Sequence, residues 1–523
     1  MHSDELSSVP PQGGEVVSSS ATRQQNGRRA AILLVVLTVV GLALRVWRLG
    51  EWSFEGDEIF TLRDSLHPRF TNPRPLIYFL NHYLVGPVVP LDELGLRILP
   101  ALFGVLAIPA LYFMTRRLVG TRAALFATLL LTFNAYQVYQ SQYARYWSLV
   151  FLFSAIYPYA LYVGVRDRNR SWGVLGLVTA VLAMLGHPTA VLLIGGLALF
   201  LASYLRGEHL RSLWNQKSVR WAALIVLILL VVIGWRYLLV LHSWIFERPL
   251  RVGGADHLLH SPRGPFVKQA AIMLSYMDAM SLPVMLIGVL GIYILWQGRD
   301  RSLALLLACL YIFPTAFILL LSFRTAVSTT YLMPTMPILF VGAGVFLERL
   351  VHVGGELRPR WLMAAAVTAI VLLGGAPTLV SQYRDGRRND FRRAASWLDQ
   401  QLGPRDVVLS DQVRTLSHYL QSTKAQRLVA DSARLTQSVR MLHDSGGTGT
   451  LWVVKPEAAQ GGHRTTSGLS ALNYWIYQNC QLRNSIGIAR LDFRHNELEI
   501  YRCPVASSGV TVPATLPAAV GGK

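Results

Sequence analysis

Two adjacent carboxylates, Asp57 and Glu58, stand in the stretch Trp52-Ser-Phe-Glu-Gly-Asp57-Glu58-Ile-Phe-Thr-Leu-Arg63-Asp64, directly after the first long apolar run. A carboxylate at a membrane surface can accept the proton of a hydroxyl or amine as that group attacks an electrophilic carbon. Neighbouring side chains usually point in different directions. Asp57 and Glu58 are therefore not expected to act as a matched pair on one acceptor; one faces the acceptor, the other a backbone group or an arginine. A solvated loop with an acidic helix start is the plainer alternative.

The second set of candidates is cationic: Arg63, Arg74, Arg145, Arg248, Arg251, Arg263, Lys268 and Arg324. A guanidinium can grip a phosphate with two parallel hydrogen bonds and stabilise the charge that builds on a phosphate leaving group. Arg145, in Gln140-Ser-Gln-Tyr-Ala-Arg145-Tyr-Trp, and Arg324, in Ser322-Phe-Arg-Thr, are the more telling, because each stands just off an apolar run. Anchoring to lipid headgroups is the ordinary use of any one of them. Glu93 and Arg97 are spaced as an i, i+4 pair on one helix face, expected to be structural. His67, His82, His187, His257 and His260 form no motif such as HExxH. His257-x-x-His260 leaves room for a divalent ion without requiring one, and no metal ligand set is assigned. Neither a Walker loop nor a GxGxxG motif between strand and helix is present.

What must position these groups is a membrane scaffold. Of the 523 residues, 52% are hydrophobic and 15% charged, where a soluble protein carries about a quarter charged. Apolar runs near 20 residues, flanked by Arg or Lys, recur along the chain, as in a polytopic helical membrane protein. The net charge of +20 is accounted for by loop arginines. Nucleic-acid binding is set aside, because no basic domain with interleaved aromatics accompanies that charge. Residues 1–28 read as a disordered cytoplasmic tail.

Spans near 31–46, 94–115, 121–138, 147–165, 171–187, 189–205, 219–241, 274–296, 302–322, 331–350 and 361–381 make eleven. Alternate loops carry Arg116, Arg117 and Arg122; Arg166, Arg168 and Arg170; Arg206 to Arg220; Arg299 and Arg301; and Arg349 to Arg360. The positive-inside rule puts these loops and the N-terminus in the cytoplasm, and an odd span count puts the C-terminus outside. One broken span in 171–205, rather than two split at His187-Pro188, would reverse everything downstream; the basic loops on both sides agree with two. The transmembrane domain then covers 29–381, with loop 50–93 as its catalytic loop. Within that loop, Ile77–Val85 is too short to span and fits an amphipathic helix in the interface.

Residues 382–505 turn polar and read as a small extracytoplasmic α/β domain, followed by a disordered tail at 506–523. A helix is expected at Phe391–Leu402, and strands at Asp406–Ser410, Gln426–Ala430, Thr450–Val454 and Leu498–Tyr501. Cys480 and Cys503 form a disulfide if this domain lies outside the cytoplasm, and are otherwise ordinary thiols.

Taken as a set, short motifs give the chain a family resemblance. They are an arginine-bearing end to the first span followed by Asp57-Glu58, Glu93-x-x-x-Arg97 opening the second, Tyr143-Ala-Arg145-Tyr146, Tyr331-Leu-Met-Pro334 with Pro337, and Asp390-Phe-Arg392-x-Ala-Ala395. Over about residues 30 to 410 the sequence resembles the GT-C class of membrane glycosyltransferases that use polyprenyl-phosphate sugars. The branch it most resembles holds protein O-mannosyltransferases and the aminoarabinose transferase acting on lipid A. The resemblance implies a GT-C-like fold and a donor sugar on undecaprenyl or dolichyl monophosphate. It implies a protein, lipid A or cell-envelope glycan as acceptor, in the cell (inner) membrane, and no required cofactor. It also implies Asp57 as catalytic base with Glu58 beside it; from the residues themselves, the donor phosphate is expected to be held among Arg63, Arg74, Arg145, Arg248, Arg251 and Arg324. The family's His-Pro-Pro of the first loop is Asn72-Pro-Arg-Pro75 here, and its arginine before the late Tyr-Leu-x-Pro is Thr330. Arg74 and Arg324 are the candidate replacements. Two other classes compete: a flippase or transporter, which would place ionisable groups inside the spans, and a non-catalytic envelope assembly subunit, which would tolerate loss of both acids.

Overall fold

The computed structural model describes residues 14–204, 267–298, 300–323, 327–352, 357–386, 388–427, 449–456, 476–487 and 497–503. Helices dominate as far as residue 385. In chain order they are α1 (Gly14–Val46), α2 (Gly56–Leu66), α3 (Pro75–Leu80), α4 (Glu93–Val119), α5 (Thr121–Phe133), α6 (Ala135–Ser141), α7 (Trp147–Ser154), α8 (Tyr157–Arg166), α9 (Arg170–Gly186) and α10 (Val191–Tyr204). After residues 205–266 come α11 (Val267–Met280), α12 (Leu282–Gln297), α13 (Arg301–Leu321), α14 (Met336–His352) and α15 (Leu357–Asp385). Among the described residues six helices are long and apolar enough to cross a membrane, or seven if one bent pair is a single span. The protein is a multi-pass membrane protein. Ten of the eleven expected spans fall on helical segments, and 219–241 lies outside the described residues.

Among the breaks within the expected spans, two bear on the site. The 274–296 segment is split at Ser281, whose φ of 67° is left-handed, and the halves Gln269–Met280 and Leu282–Gln297 meet at 91°. Pro283 opens the second half, where its missing N–H costs nothing. The 121–138 segment stops at Phe133; Asn134 turns the chain and caps α6 by accepting from the Gln137 N–H at 2.9 Å. Both breaks line the cavity described below.

The bundle packs by close backbone approach at small residues, as helices in lipid do. A Cβ on Gly291 would sit 1.7 Å from the Gly342 carbonyl oxygen, so α12 and α14 touch main chain to main chain there. The interfacial segment of the first loop folds as α3 continued by a π-helical turn over Asn81–Val85, burying Ile77, Tyr78, Asn81 and Val85 while Tyr83 and Leu84 stay exposed.

Beyond α15 the chain forms α16 (Phe391–Asp399), β1 (Val407–Ser410), α17 (Val413–Tyr419), β2 (Gln426–Arg427), β3 (Leu451–Pro456), β4 (Gln481–Ile486) and β5 (Leu498–Cys503). The sheet order is β2-β1-β3-β5-β4, parallel from β2 to β3 and antiparallel thereafter. Helix α16 buries Phe391, Ala394, Ala395 and Leu398, an i, i+3, i+4, i+7 stripe, against Trp452, Val454 and Ile500 of the sheet. Strand β4 has no counterpart among the expected strands, because Gln-Leu-Arg-Asn-Ser-Ile is largely exposed and carries no apolar alternation.

Cys480 and Cys503 are disulfide-bonded and tie the entry of β4 to the end of β5. The bond closes a loop of 23 residues in sequence. Replacing both cysteines with serine is expected to lower stability by about 3 kcal/mol, read as a lower thermal midpoint and earlier proteolysis of the tail. Unchanged protease resistance would show that the sheet does not depend on this cross-link.

Candidate active site

The first loop is fixed from below by one buried carboxylate. Glu58, at the third position of α2, has no solvent exposure. Its Oε1 accepts from Arg97 Nε at 2.9 Å and from the Ala144 N–H at 2.7 Å. Its Oε2 accepts from Arg97 Nη2 at 2.9 Å, Arg388 Nη1 at 3.0 Å and the Glu55 N–H at 3.0 Å. Arg97 also donates to the carbonyls of Leu49, Trp52 and Ser53, so one guanidinium holds the whole exit from α1. Burial by itself would push the Glu58 carboxyl up, but the charges of Arg388 and Arg97 and the bonds from Arg97 and Ala144 outweigh it and hold it at about 2.

Asp57 points elsewhere. Its side chain is 59% exposed and faces a cavity of about 940 Å³ enclosed by α5 to α7, the α11–α12 break, residues 328–331 and α15. Asp57 Oδ2 lies 3.6 Å from Arg145 Nη2, and Arg145 Nη1 donates to the Asp57 carbonyl at 3.0 Å. Arg145 is buried; burial opposes its charge, but the surrounding Tyr146, Tyr78 and Asp57 raise its affinity for the proton above the ordinary arginine value. Arg74 reaches the same point from the other side, its Nη1 donating to the Tyr146 hydroxyl at 2.6 Å while Arg145 Nη2 donates to it at 3.2 Å. Tyr146 thus accepts from both cations and stacks on His187 at 4.8 Å, with Trp147 and Tyr331 closing the aromatic wall. Asp278, at the bent α11–α12 pair, also lines the cavity.

Of the residues expected at the site from the sequence, the structure brings Asp57, Arg74 and Arg145 together. Glu58 is not at the cavity: all its acceptor capacity is engaged by buried donors, which makes it an anchor rather than a catalytic group. Arg63 is not there either; its exposed guanidinium pairs with Asp64 on the outer face of α2. Glu93 and Arg97 do not pair with each other. Arg97 turns to Glu58, and Glu93 meets Arg392 and the Tyr419 hydroxyl of the tail. Arg248, Arg251 and Arg324, with His257 and His260, lie outside the described residues. Among the described residues no three His, Cys, Asp or Glu gather as a metal site.

Two parts of the site escaped the sequence. Arg388, 330 positions from Glu58, looked like one more charge in a polar tail, yet it is buried over the rings of Tyr139 and Tyr143. Glu55 accepts from the Tyr139 hydroxyl at 3.2 Å; burial pushes its carboxyl up, and Arg388 only partly offsets this. The Tyr143-Ala-Arg145-Tyr146 motif was the available signal for the aromatic wall.

Residues 76–236 match the family model described as dolichyl-phosphate-mannose-protein mannosyltransferase. No curated protein sequence matches the chain. Among solved structures, ArnT from Cupriavidus metallidurans in the apo state aligns with a TM-score of 0.56 at 17% identity, covering 91% of this chain and 98% of that one. The same protein bound to undecaprenyl phosphate gives 0.54 at 16%, again over 91% and 98%. The archaeal oligosaccharyltransferase AglB from Archaeoglobus fulgidus, in complex with an inhibitory peptide and a dolichol-phosphate, gives 0.51 at 11%, over 82% and 70%. The resemblance to the GT-C class drawn from the sequence is borne out, and the chain has the GT-C fold.

Proposed function

We propose that this GT-C-fold membrane protein transfers a sugar from a polyprenyl-phosphate donor to an acceptor, with Asp57 as general base. The observation that carries this is the meeting of one exposed carboxylate with two cations, Arg145 and Arg74, in a cavity at the break of a bent span. The ArnT and AglB structures, which hold undecaprenyl phosphate and dolichol-phosphate, support the donor class. The family match supports sugar transfer. The acceptor's hydroxyl or amine attacks the anomeric carbon while Asp57 takes its proton. The bond from that carbon to the phosphate oxygen breaks, and the lipid phosphate leaves with the electron pair. Arg145 and Arg74 neutralise the charge that develops there, aimed by the Tyr146 hydroxyl they share. This chain brings guanidinium charge to the phosphate, so the proposed reaction needs no cofactor.

Orientation follows the loop arginines: N-terminus cytoplasmic, with loop 50–93 and residues 382–505 outside. The Cys480–Cys503 disulfide suits the oxidising side. On this topology residues 29–381 form the transferase domain and 382–505 a domain docked on its catalytic loop. The acceptor is a protein, lipid A or a cell-envelope glycan.

The test is reconstitution of the full chain in proteoliposomes with radiolabelled undecaprenyl-phosphate sugars and envelope acceptors. Release of lipid phosphate with labelled acceptor supports the proposal. Movement of the intact lipid across the bilayer without sugar release would replace it with a flippase. Within that assay, Arg74→Ala is expected to raise the donor KM about tenfold with a smaller fall in kcat. Arg145→Ala, which also strips Asp57 of its partner, lowers both donor affinity and kcat. An unchanged donor KM in Arg74→Ala would remove Arg74 from the phosphate site.

A further inference from the structure

The tail carries a second pocket, of about 370 Å³, lined by Trp397, Gln401, Asp406, Trp452, Arg483 and Arg502 together with Thr450. Its volume lies within the roughly 300–1,000 Å³ usual for small-molecule sites. It opens at the C-terminal end of α16, six residues past Phe391, whose N–H meets Ser53 of the first loop. That places Trp397 about 9 Å further along the helix from this contact.

The walls are built rather than incidental. Asp406 Oδ2 accepts from Trp452 Nε1 at 2.9 Å and from the Gly403 N–H at 3.1 Å, and Oδ1 accepts from the Thr450 N–H at 2.7 Å. The pocket's one carboxylate is thereby engaged in holding the buried Trp452 indole. Trp452 in turn meets Trp397 edge to face, ring centroids 5.9 Å apart at 79°, and sets the half-buried Trp397 as a fixed apolar platform. Arg502 pairs in register with Trp452 on one side and Gln481 on the other. Arg483 is the extra residue at the register shift between Leu482 and Asn484, and such a bulge re-aims a side chain, here toward the pocket. Both arginines are exposed, and neither guanidinium has an ion-pair partner among the described residues.

A fixed indole face beside two exposed guanidiniums, unpaired among the described residues, and an amide fits a ring with a polar edge and a negative charge. The apolar face of a sugar ring lies on the indole, and its carboxylate or phosphate meets the arginine forks. We infer that this pocket is a binding site for an acidic saccharide, separate from the transfer cavity. A peptide is the poorer fit, because an acidic peptide offers the arginines charge but gives Trp397 no ring face. The inference does not depend on the transferase proposal.

The experiment measures binding of tetragalacturonate to the full-length protein in nanodiscs by calorimetry, with maltotetraose and tetra-aspartate as comparison ligands. Tetragalacturonate is expected to bind at least about tenfold more tightly than either. Arg483→Gln with Arg502→Gln, at exposed positions that leave the fold alone, should remove that preference. Trp397→Ala should weaken tetragalacturonate without creating a preference for tetra-aspartate. Asp57→Asn should bind as the wild type does, so loss of transfer and loss of this site are told apart. Equal binding of maltotetraose, equal binding of tetra-aspartate, or full binding by the double arginine variant would each overturn the inference.

Discussion

Asp57→Asn is expected to leave a folded, membrane-inserted protein whose transfer rate is lower by about 10²–10⁴-fold, the range for removing a general base. The substitution is nearly isosteric, and the native side chain is more than half exposed to the cavity, so little packing is lost. Arg145 keeps its bonds to the Asp57 carbonyl and the Tyr146 hydroxyl, and Arg74 keeps its bond to Tyr146. The cations that meet the phosphate therefore stay in place, and the donor KM should move far less than kcat. An amide cannot take the acceptor's proton, so the loss falls on the chemical step. Asp57→Glu, with the same group one methylene longer, should retain part of the rate. Wild-type turnover by Asp57→Asn would move the base to another carboxylate near the cavity, Glu55 or Asp278.

The parts of this molecule that could be read from the chain are those governed by local rules. The spans show as apolar runs because lipid forces a helix on any segment that crosses it. Helix α16 shows because its stripe repeats every three to four residues. The break at Ser281 was hard to see: Met280 and Leu282 on either side are apolar, and Pro283, which opens the second half, was its one local signal. The Asp57-Glu58 dipeptide drew attention as a unit, and the expectation that its members face different ways holds. What local sequence could not supply was the division of labour. Glu58 is an anchor only because Arg97, 39 positions on, and Arg388, 330 positions on, converge on it. The i, i+4 spacing of Glu93 and Arg97 misled for the same reason: Arg97 pairs with Glu58, and Glu93 is taken by Arg392 and the Tyr419 hydroxyl, partners far away in sequence.

Removing that anchor should produce the largest loss of stability in the protein. Glu58→Ala leaves Arg97 and Arg388 buried without their shared counter-charge, a defect that costs about 3–5 kcal/mol. Arg388 belongs to the segment that leads into the tail, so the expected failure is release of the tail from the first loop. It should be visible as a lower thermal midpoint and rapid proteolysis between α15 and α16. Glu58→Gln should be nearly as damaging, because the amide supplies an acceptor but no charge. Adding Arg388→Gln to Glu58→Gln withdraws one stranded cation, so the double variant should be more stable than the sum of the single losses. The pH dependence follows the same pairing. Glu58 titrates at about 2 in the folded protein against 4.5 ordinarily, so its contribution is complete above about 4.5 and is lost as pH falls toward about 2. Across that window the wild type should lose stability more steeply than Glu58→Gln, which has no proton to take up at this position. Parallel pH profiles for the two proteins, or a Glu58→Ala variant as stable as the wild type, would show that the first loop is held by something other than this carboxylate and its two arginines.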